Sequence, residues 1–385
     1  MKILICPDKF KESLKATDVS LHIRNGILKA MPDAICKLMP MADGGEGTVE
    51  AMVAATGGRI EKVAVTDPLM RPVEAFFGIS GDGKTAFIEM AAASGLALLS
   101  RGERNPLITS SYGTGELICH ALDRNCRELI IGIGGSATVD GGTGMASALG
   151  VHFTDESGKR ITVKGGNLDQ VRKIDISALD PRIGKCRISV ASDVNNVLTG
   201  QTGAAYVFGP QKGADIPAVK ILDENLDHLA LLIRKELGKD IASLAGGGAA
   251  GGMGAGIVAF LNGKIMNGFE LIADTAGLSE WIEWSDLVIT GEGKMDDQTI
   301  FGKTPAGVAR MALKFRKPVI GFTGALGKNH EKLYDAGFSA LIPIADKPMT
   351  QEHSIRDAAT LLERASERVF RILNLFPTQN ATFKG

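Results

Sequence analysis

Five short stretches of this chain carry acidic side chains, four of them among glycines or amides. They are Pro7-Asp8-Lys9-Phe10-Lys11, Ala42-Asp43-Gly44-Gly45-Glu46-Gly47-Thr48, Gly134-Gly135-Ser136-Ala137-Thr138-Val139-Asp140-Gly141-Gly142, Ser192-Asp193-Val194-Asn195-Asn196 and Gly291-Glu292-Gly293-Lys294-Met295-Asp296-Asp297-Gln298-Thr299. Glycine lets backbone N–H groups approach a ligand closely and tolerates positive φ in a tight loop. Carboxylates in such loops can hold Mg²⁺ or accept a proton, and neighbouring amides suit a phosphorylated ligand. A single loop of this kind can arise from turn chemistry, because Asp readily bonds its own backbone. Five of them suggest one composite site.

The elements that must position these loops follow the grammar of parallel sheets at both ends of the chain. An apolar strand over 2–6 leads through the Asp8 loop to a helix over about 17–31, with Val19, Ile23, Ile27 and Ala30 on one face. A second strand near 35–39 feeds the Asp43 loop and a further helix ending at Thr56-Gly57-Gly58. The C-terminal third repeats the pattern: a strand at 286–290, the Gly291 loop, a helix over about 304–315, strands at 318–323 and 340–344, and a last helix over about 351–373. Loops at the carboxyl edge of such a sheet are where ligands gather. A polar tail, 377–385, is expected to fray. Between the two ends, 62–66, 73–79 and 85–89 read as period-2 strands joined by turns. A glycine run, 246–254, then opens a small-residue helix. The domain expectation is a discontinuous domain of 1–70 plus 282–385, with 71–281 inserted.

At 385 residues the chain is long enough for two domains. A net charge of −1 gives no nucleic-acid footprint and no stripe for a membrane surface. No apolar stretch reaches the length of a transmembrane helix, and the N-terminal run is too short for a signal sequence. Five cysteines, odd in number and without metal spacing, suit reduced thiols, so a cytoplasmic protein is expected. The six histidines show neither metal spacing nor a nucleophile partner.

Two motifs compete with that reading. Gly78-Ile79-Ser80-Gly81-Asp82-Gly83-Lys84-Thr85 satisfies the phosphate-loop expression G-x-x-x-x-G-K-T. Its flanks alternate as strands do, so a hairpin turn at Gly81-Asp82-Gly83 is expected instead. Gly132-Ile133-Gly134-Gly135-Ser136-Ala137 follows an apolar strand and matches a dinucleotide fingerprint, with Asp155 about twenty residues on. That is the alternative: an NAD-dependent dehydrogenase of a small hydroxy acid. Against it stands the continuation into Asp140-Gly141-Gly142, where a dinucleotide loop would already have entered its helix.

Taken together, the loops resemble those of the bacterial glycerate kinases of the first family. The resemblance spans nearly the full length. It rests on the five stretches above together with Lys11-Glu12-Ser13-Leu14, Glu89-Met90-Ala91-Ala92-Ala93-Ser94-Gly95-Leu96, Thr114-Gly115-Glu116-Leu117 and Phe208-Gly209-Pro210-Gln211-Lys212-Gly213-Ala214. Departures are local: Val139 where Asn is frequent, Val197 where Pro is common, Lys294 where Arg is usual.

The resemblance implies two α/β domains, one flavodoxin-like with a Rossmann-like parallel sheet and one mixed, with the site in the interdomain cleft. It also implies glycerate as substrate, ATP and Mg²⁺ as requirements, and 2-phosphoglycerate as the usual product. Phosphoryl transfer needs cations, a metal and a proton acceptor. On that footing Asp193, Lys9 and Asp296 are the catalytic candidates, with Asp193 first for general base or metal ligand. Gly134, Gly135, Ser136, Gly291, Glu292, Gly293, Asn195, Asn196 and Lys212 are the nucleotide-side candidates. Asp43, Glu46 and Asp296 are the metal candidates.

Overall fold

The computed structural model describes residues 1–300 and 303–375, so the tail expected to fray lies outside the described residues. In chain order the strands are β1 (Lys2–Ile5), β2 (Ile35–Leu38), β3 (Arg59–Thr66), β4 (Pro72–Ile79), β5 (Thr85–Glu89), β6 (Glu128–Gly132) and β7 (His152–Thr154). They continue as β8 (Lys173–Asp175), β9 (Arg187–Ala191), β10 (Lys264–Met266), β11 (Leu287–Met295), β12 (Val319–Leu326) and β13 (Ala340–Pro343). The chain divides into two units, 1–42 with 272–385, and 43–271.

The first unit is a five-stranded sheet in the order β13-β12-β11-β1-β2, parallel throughout. Counted along this unit alone, that is the flavodoxin-like order, with the switch point between β1 and β11. Strands buried on both faces read as continuous apolar runs, and Ile3, Leu4, Ile5, Val288 and Ile289 are fully buried. Helix Ala16–Ala30 packs on the C-terminal helix Ala358–Leu373, where a Cβ on Gly26 would lie 2.2 Å from the Glu363 carbonyl. The last helix, expected as one piece, is two: Gln351–Arg356 and Ala358–Leu373, parted at Asp357. The stretch from Gly291 to Met295, expected as loop, is strand. Its backbone pairs with β12 through Glu292↔Thr323 and Lys294↔Ala325.

The second unit carries a mixed six-stranded sheet, β10-β9-β6-β5-β4-β3, and a small antiparallel pair, β7-β8. β10, β9, β6 and β5 are parallel; β4 and β3 join antiparallel at the edge. The division between units falls at 42/43 and 271/272, not after 70 and before 282. Helix Thr48–Thr56, which sequence grammar gave to the first sheet, packs instead on the second: Val49 and Val53 meet Gly78 of β4. β3 must follow it, because all eight of its residues pair with β4.

The phosphate-loop look-alike is the β4–β5 hairpin. Ser80 N–H donates to the Thr85 carbonyl at 2.9 Å, and Ser80 Oγ donates to Asp82 Oδ1 at 2.6 Å. Lys84 is exposed at the end of that turn. The dinucleotide look-alike fails on topology as well. After β6 the chain does not become helical until Thr143, and Asp155 lies in a turn beyond β7, bonded to Ser157 and Lys159.

Candidate functional site

Each unit gathers charged loops at the carboxyl edge of its parallel strands, and each gathering is built differently. In the first unit, the loop after β1 is tied to β11 by the Asp8 N–H, which donates to the Gly291 carbonyl at 2.9 Å. A cavity of about 810 Å³ opens there. Lys9 and Lys11 after β1, Glu292, Gly293 and Lys294 on β11, and Lys303 line one side of it. Glu292 is largely buried, and burial raises its pKa; the Thr299 hydroxyl at 2.7 Å and Lys303 Nζ at 3.3 Å oppose that rise. Gly291 lies within the strand, beyond the cavity lining. Asp296 does not line the cavity either. Its Oδ2 pairs with Lys294 Nζ at 2.8 Å and its Oδ1 accepts the Gln298 N–H at 3.0 Å; the lysine holds its pKa below the ordinary carboxylate value.

In the second unit a smaller pocket of about 360 Å³ is lined by Asp43, Gly134, Gly135, Ser136, Asp193 and Lys212, among others. Two glycine loops meet backbone to backbone here: a Cβ on Gly132 would sit 2.4 Å from the Gly44 carbonyl, and one on Gly134 3.0 Å from the Gly45 Cα. No side chain fits between them. Asp193 follows β9. Its Oδ1 accepts the Gly268 N–H at 2.8 Å and Asn267 Nδ2 at 2.9 Å, both from the segment after β10. Although the residue is exposed at the surface, the protein around its carboxyl group raises the pKa to about 6. The charges of Asp43 and Glu270 add to the rise, and the Gly268 N–H opposes it.

Lys212 is 2% exposed, and its Nζ donates to Ser136 Oγ at 2.7 Å and to the Thr138 carbonyl at 2.8 Å. Burial lowers its pKa to about 7, against the pull of Asp140. The ammonium thus pins the Gly134–Ser136 loop from below. Ala250, also in the lining, begins three consecutive residues of positive φ, and a Cβ on Gly251 would fall 1.9 Å from the Thr138 carbonyl. A left-handed turn of this kind is strained for any non-glycine residue.

Other expected residues have structural partners. Asp140 is fully buried and accepts from Ser111 N–H and Oγ and from Gly142 and Gly144 N–H. Asn196 Nδ2 donates to the Thr202 carbonyl, while Asn195 and Glu46 are exposed and outside the pocket lining. Glu89, from one of the stretches that carried the resemblance, accepts the Val49 N–H; Glu116, from another, accepts Thr66 N–H and Oγ. These motif residues hold the loops in place. Sequence reasoning missed Asn267, whose signal was its position before a helix: its Oδ1 accepts the Glu270 N–H at 3.0 Å. It also missed Lys303.

Among the described residues no group of three or more His, Cys, Asp or Glu side chains could hold a metal ion. Mg²⁺ does not demand such a cage, since one or two carboxylates with substrate phosphates and water suffice. Asp43 and Asp193 fit that need: two carboxylates close enough to repel, with a charge interaction that a divalent cation would reverse. Asp296, already paired with Lys294, fits it poorly.

Lysines at a flavodoxin-like switch point and paired carboxylates beside a glycine loop are parts that a phosphotransferase for small molecules needs. Relatives of the chain narrow that class. A family model described as the glycerate kinase family matches residues 3–374. The chain is 50% identical over 373 residues to the glycerate 2-kinase of Escherichia coli, covering 96% of this chain and 97% of that one. It is 46% identical over 378 residues to the glycerate kinase of Bacillus subtilis, covering 98% and 99%. A crystal structure of a glycerate kinase 2 from Salmonella typhimurium LT2 superposes with a TM-score of 0.89 at 48% identity, covering 97% of this chain and 98% of that one. The chain belongs to the glycerate kinase family and is an enzyme that phosphorylates an alcohol group.

Proposed function

We propose that the enzyme transfers the γ-phosphoryl group of ATP to the 2-hydroxyl of D-glycerate, giving 2-phosphoglycerate and ADP, with Asp193 as general base. The observation that carries this reading is the setting of Asp193. Both of its hydrogen bonds fall on Oδ1, and its pKa of about 6 places the ionised form in the majority at neutral pH while leaving it more basic than an ordinary carboxylate. A base poised near the working pH is the efficient one. Support for the 2-position comes from the relative described as a glycerate 2-kinase.

The volume of the second-unit pocket suits a three-carbon acid. The backbone at Gly134 and Gly135, the Ser136 hydroxyl and the Lys212 ammonium supply donors for an anionic group there. Mg²⁺ bound at Asp43 and Asp193 would neutralise phosphate charge. Because the same carboxylate cannot both ligate the metal and accept a proton freely through the same oxygen, we assign Asp43 as the principal ligand. In the first unit Asp296 orients Lys294, and Glu292 orients Lys303. Five free cysteines suit a reducing, cytoplasmic setting.

Coupled measurement of ADP release tests the reading. D-glycerate should drive release that is absent without it. A nicotinamide absorbance change with glycerate, and no ADP release, would overturn it.

A further inference from the structure

The cavity of the first unit is larger than a three-carbon acid requires, and its walls differ in chemistry. At about 810 Å³ it lies in the upper part of the range of sites for drug-sized ligands. Its position is the switch point of a flavodoxin-like sheet, where the loops after β1 and β11 part in opposite directions and leave a crevice.

One wall is cationic. Lys9, Lys11, Lys294, Lys303 and Lys347 face the space, against the glutamates Glu12 and Glu292. Another part of the lining is apolar: Ile344 just after β13, then Pro348 and Met349, then Ile355 and Ala358 from the C-terminal helices. A ligand that matches both walls has a flat apolar body at one end and several negative charges at the other.

We infer that this cavity is a purine nucleoside triphosphate site, with the base against Pro348, Met349 and Ile355 and the phosphates among Lys9, Lys294 and Lys303. The pocket of the second unit, at about 360 Å³, has less than half the volume of this cavity and lies at the bottom of the range for such ligands. Hydrogen-bonding groups for the edge of the base are at hand in Thr350, Gln351 and Ser354, which also line the cavity and are neighbours in sequence of Pro348, Met349 and Ile355. Lys294 and Lys303 are each held by a carboxylate, so their ammonium groups are oriented before a ligand arrives. This inference rests on the kinase reading only for its choice of a triphosphate.

The experiment is photolabelling of the wild-type protein with 8-azido-ATP, without glycerate, followed by peptide mapping. Label within 344–358, competed away by ATP, is the expected result. Competed label confined to 43–45, 134–136 or 249–250 would overturn the assignment, as would no competed label at all. A companion variant, Ala345→Trp, places an indole in the cavity from an exposed position. It should weaken ATP binding by calorimetry at least tenfold and leave inorganic tripolyphosphate within threefold. Equal weakening of both ligands, or none of either, would contradict the placement of the base. Because both readouts are binding, a protein that failed to phosphorylate glycerate would still answer them, so the two readings fail separately.

Discussion

Asp193 Oδ1 receives both Asn267 Nδ2 and the Gly268 N–H, at 2.9 and 2.8 Å, so one oxygen of the carboxylate anchors it and the other is left to the chemistry. Asn at this position would keep both anchoring bonds and lose the charge. Asp193→Asn should therefore fold as the wild type does and lose about two to four decades of kcat, the scale of general-base catalysis. A folded-state pKa raised to about 6 contributes stability that is present below the ordinary carboxylate value and lost as pH rises through 6. At pH 7.5 the ionised carboxylate contributes none of it, and the group's exposure keeps the effect small. Thermal melting at pH 7.5 should show Tm unchanged or raised. Turnover within threefold of wild type would remove Asp193 from the mechanism.

Asp43 enters through the same titration. Its negative charge raises the Asp193 pKa, second to burial. Followed by NMR in the metal-free protein, the Asp193 carboxyl should titrate near 6, and Asp43→Asn should move that titration to lower pH. The shift should be partial, because burial remains. Both proteins are read without Mg²⁺, since a cation held at Asp43 would reverse the interaction, and an unmoved or upward-moving titration in the variant would show that the two carboxylates do not interact.

Lys212 makes the opposite linkage. Its pKa is lowered from the ordinary lysine value to about 7, so between there and about 10.5 the unfolded chain binds more protons than the folded one. Stability contributed by this group rises with pH across that window. Lys212→Met should flatten the slope of Tm against pH between 7 and 9.5. It should also lower Tm overall, since the Ser136 hydroxyl and Thr138 carbonyl lose their donor, at about 1–3 kcal/mol for a buried group left unpaired. An unchanged pH slope would mean that the ammonium stays charged in the folded protein.

The hairpin at Gly81-Asp82-Gly83 makes a fourth outcome plain. Lys84→Ala should keep turnover and ATP KM within about threefold, because exposed substitutions away from special features are nearly neutral. Lys9→Ala should cost at least tenfold in kcat/KM, about 1.4 kcal/mol of transition-state stabilisation. Steady-state kinetics on both variants, side by side, decide between the hairpin and a working phosphate loop. Loss in Lys84→Ala with Lys9→Ala unaffected would locate the phosphate contacts in the wrong unit.

Particular elements show what the sequence could and could not disclose. β1 and β12 were legible because strands buried on both faces are short apolar runs, and the part-exposed edge strands β2 and β13 because they fall where the repeating strand–loop–helix order requires a strand. The hairpin was legible because alternation continued on both sides of its glycines. By contrast, Gly291-Glu292-Gly293-Lys294 has the composition of a loop, and only pairing with β12, a tertiary fact, makes it strand. Helix Thr48–Thr56 fits the grammar of either sheet, and the close packing of Val49 and Val53 on Gly78 decides which. Asp140 and Asp193 both sit among small or amide residues. Burial separates them: four hydrogen bonds turn the first inward to hold a loop, while the second stays at the surface. A local pattern carries no such information.

The central claim, transfer of phosphate to the 2-hydroxyl of glycerate, is tested most directly by phosphorus NMR of the product formed from ATP, Mg²⁺ and D-glycerate. A new resonance split by one proton, that of the CH bearing the phosphate in 2-phosphoglycerate, is the predicted result. A resonance split by two equivalent or near-equivalent protons, as for a phosphate on the terminal CH₂, or release of inorganic phosphate alone, would contradict it.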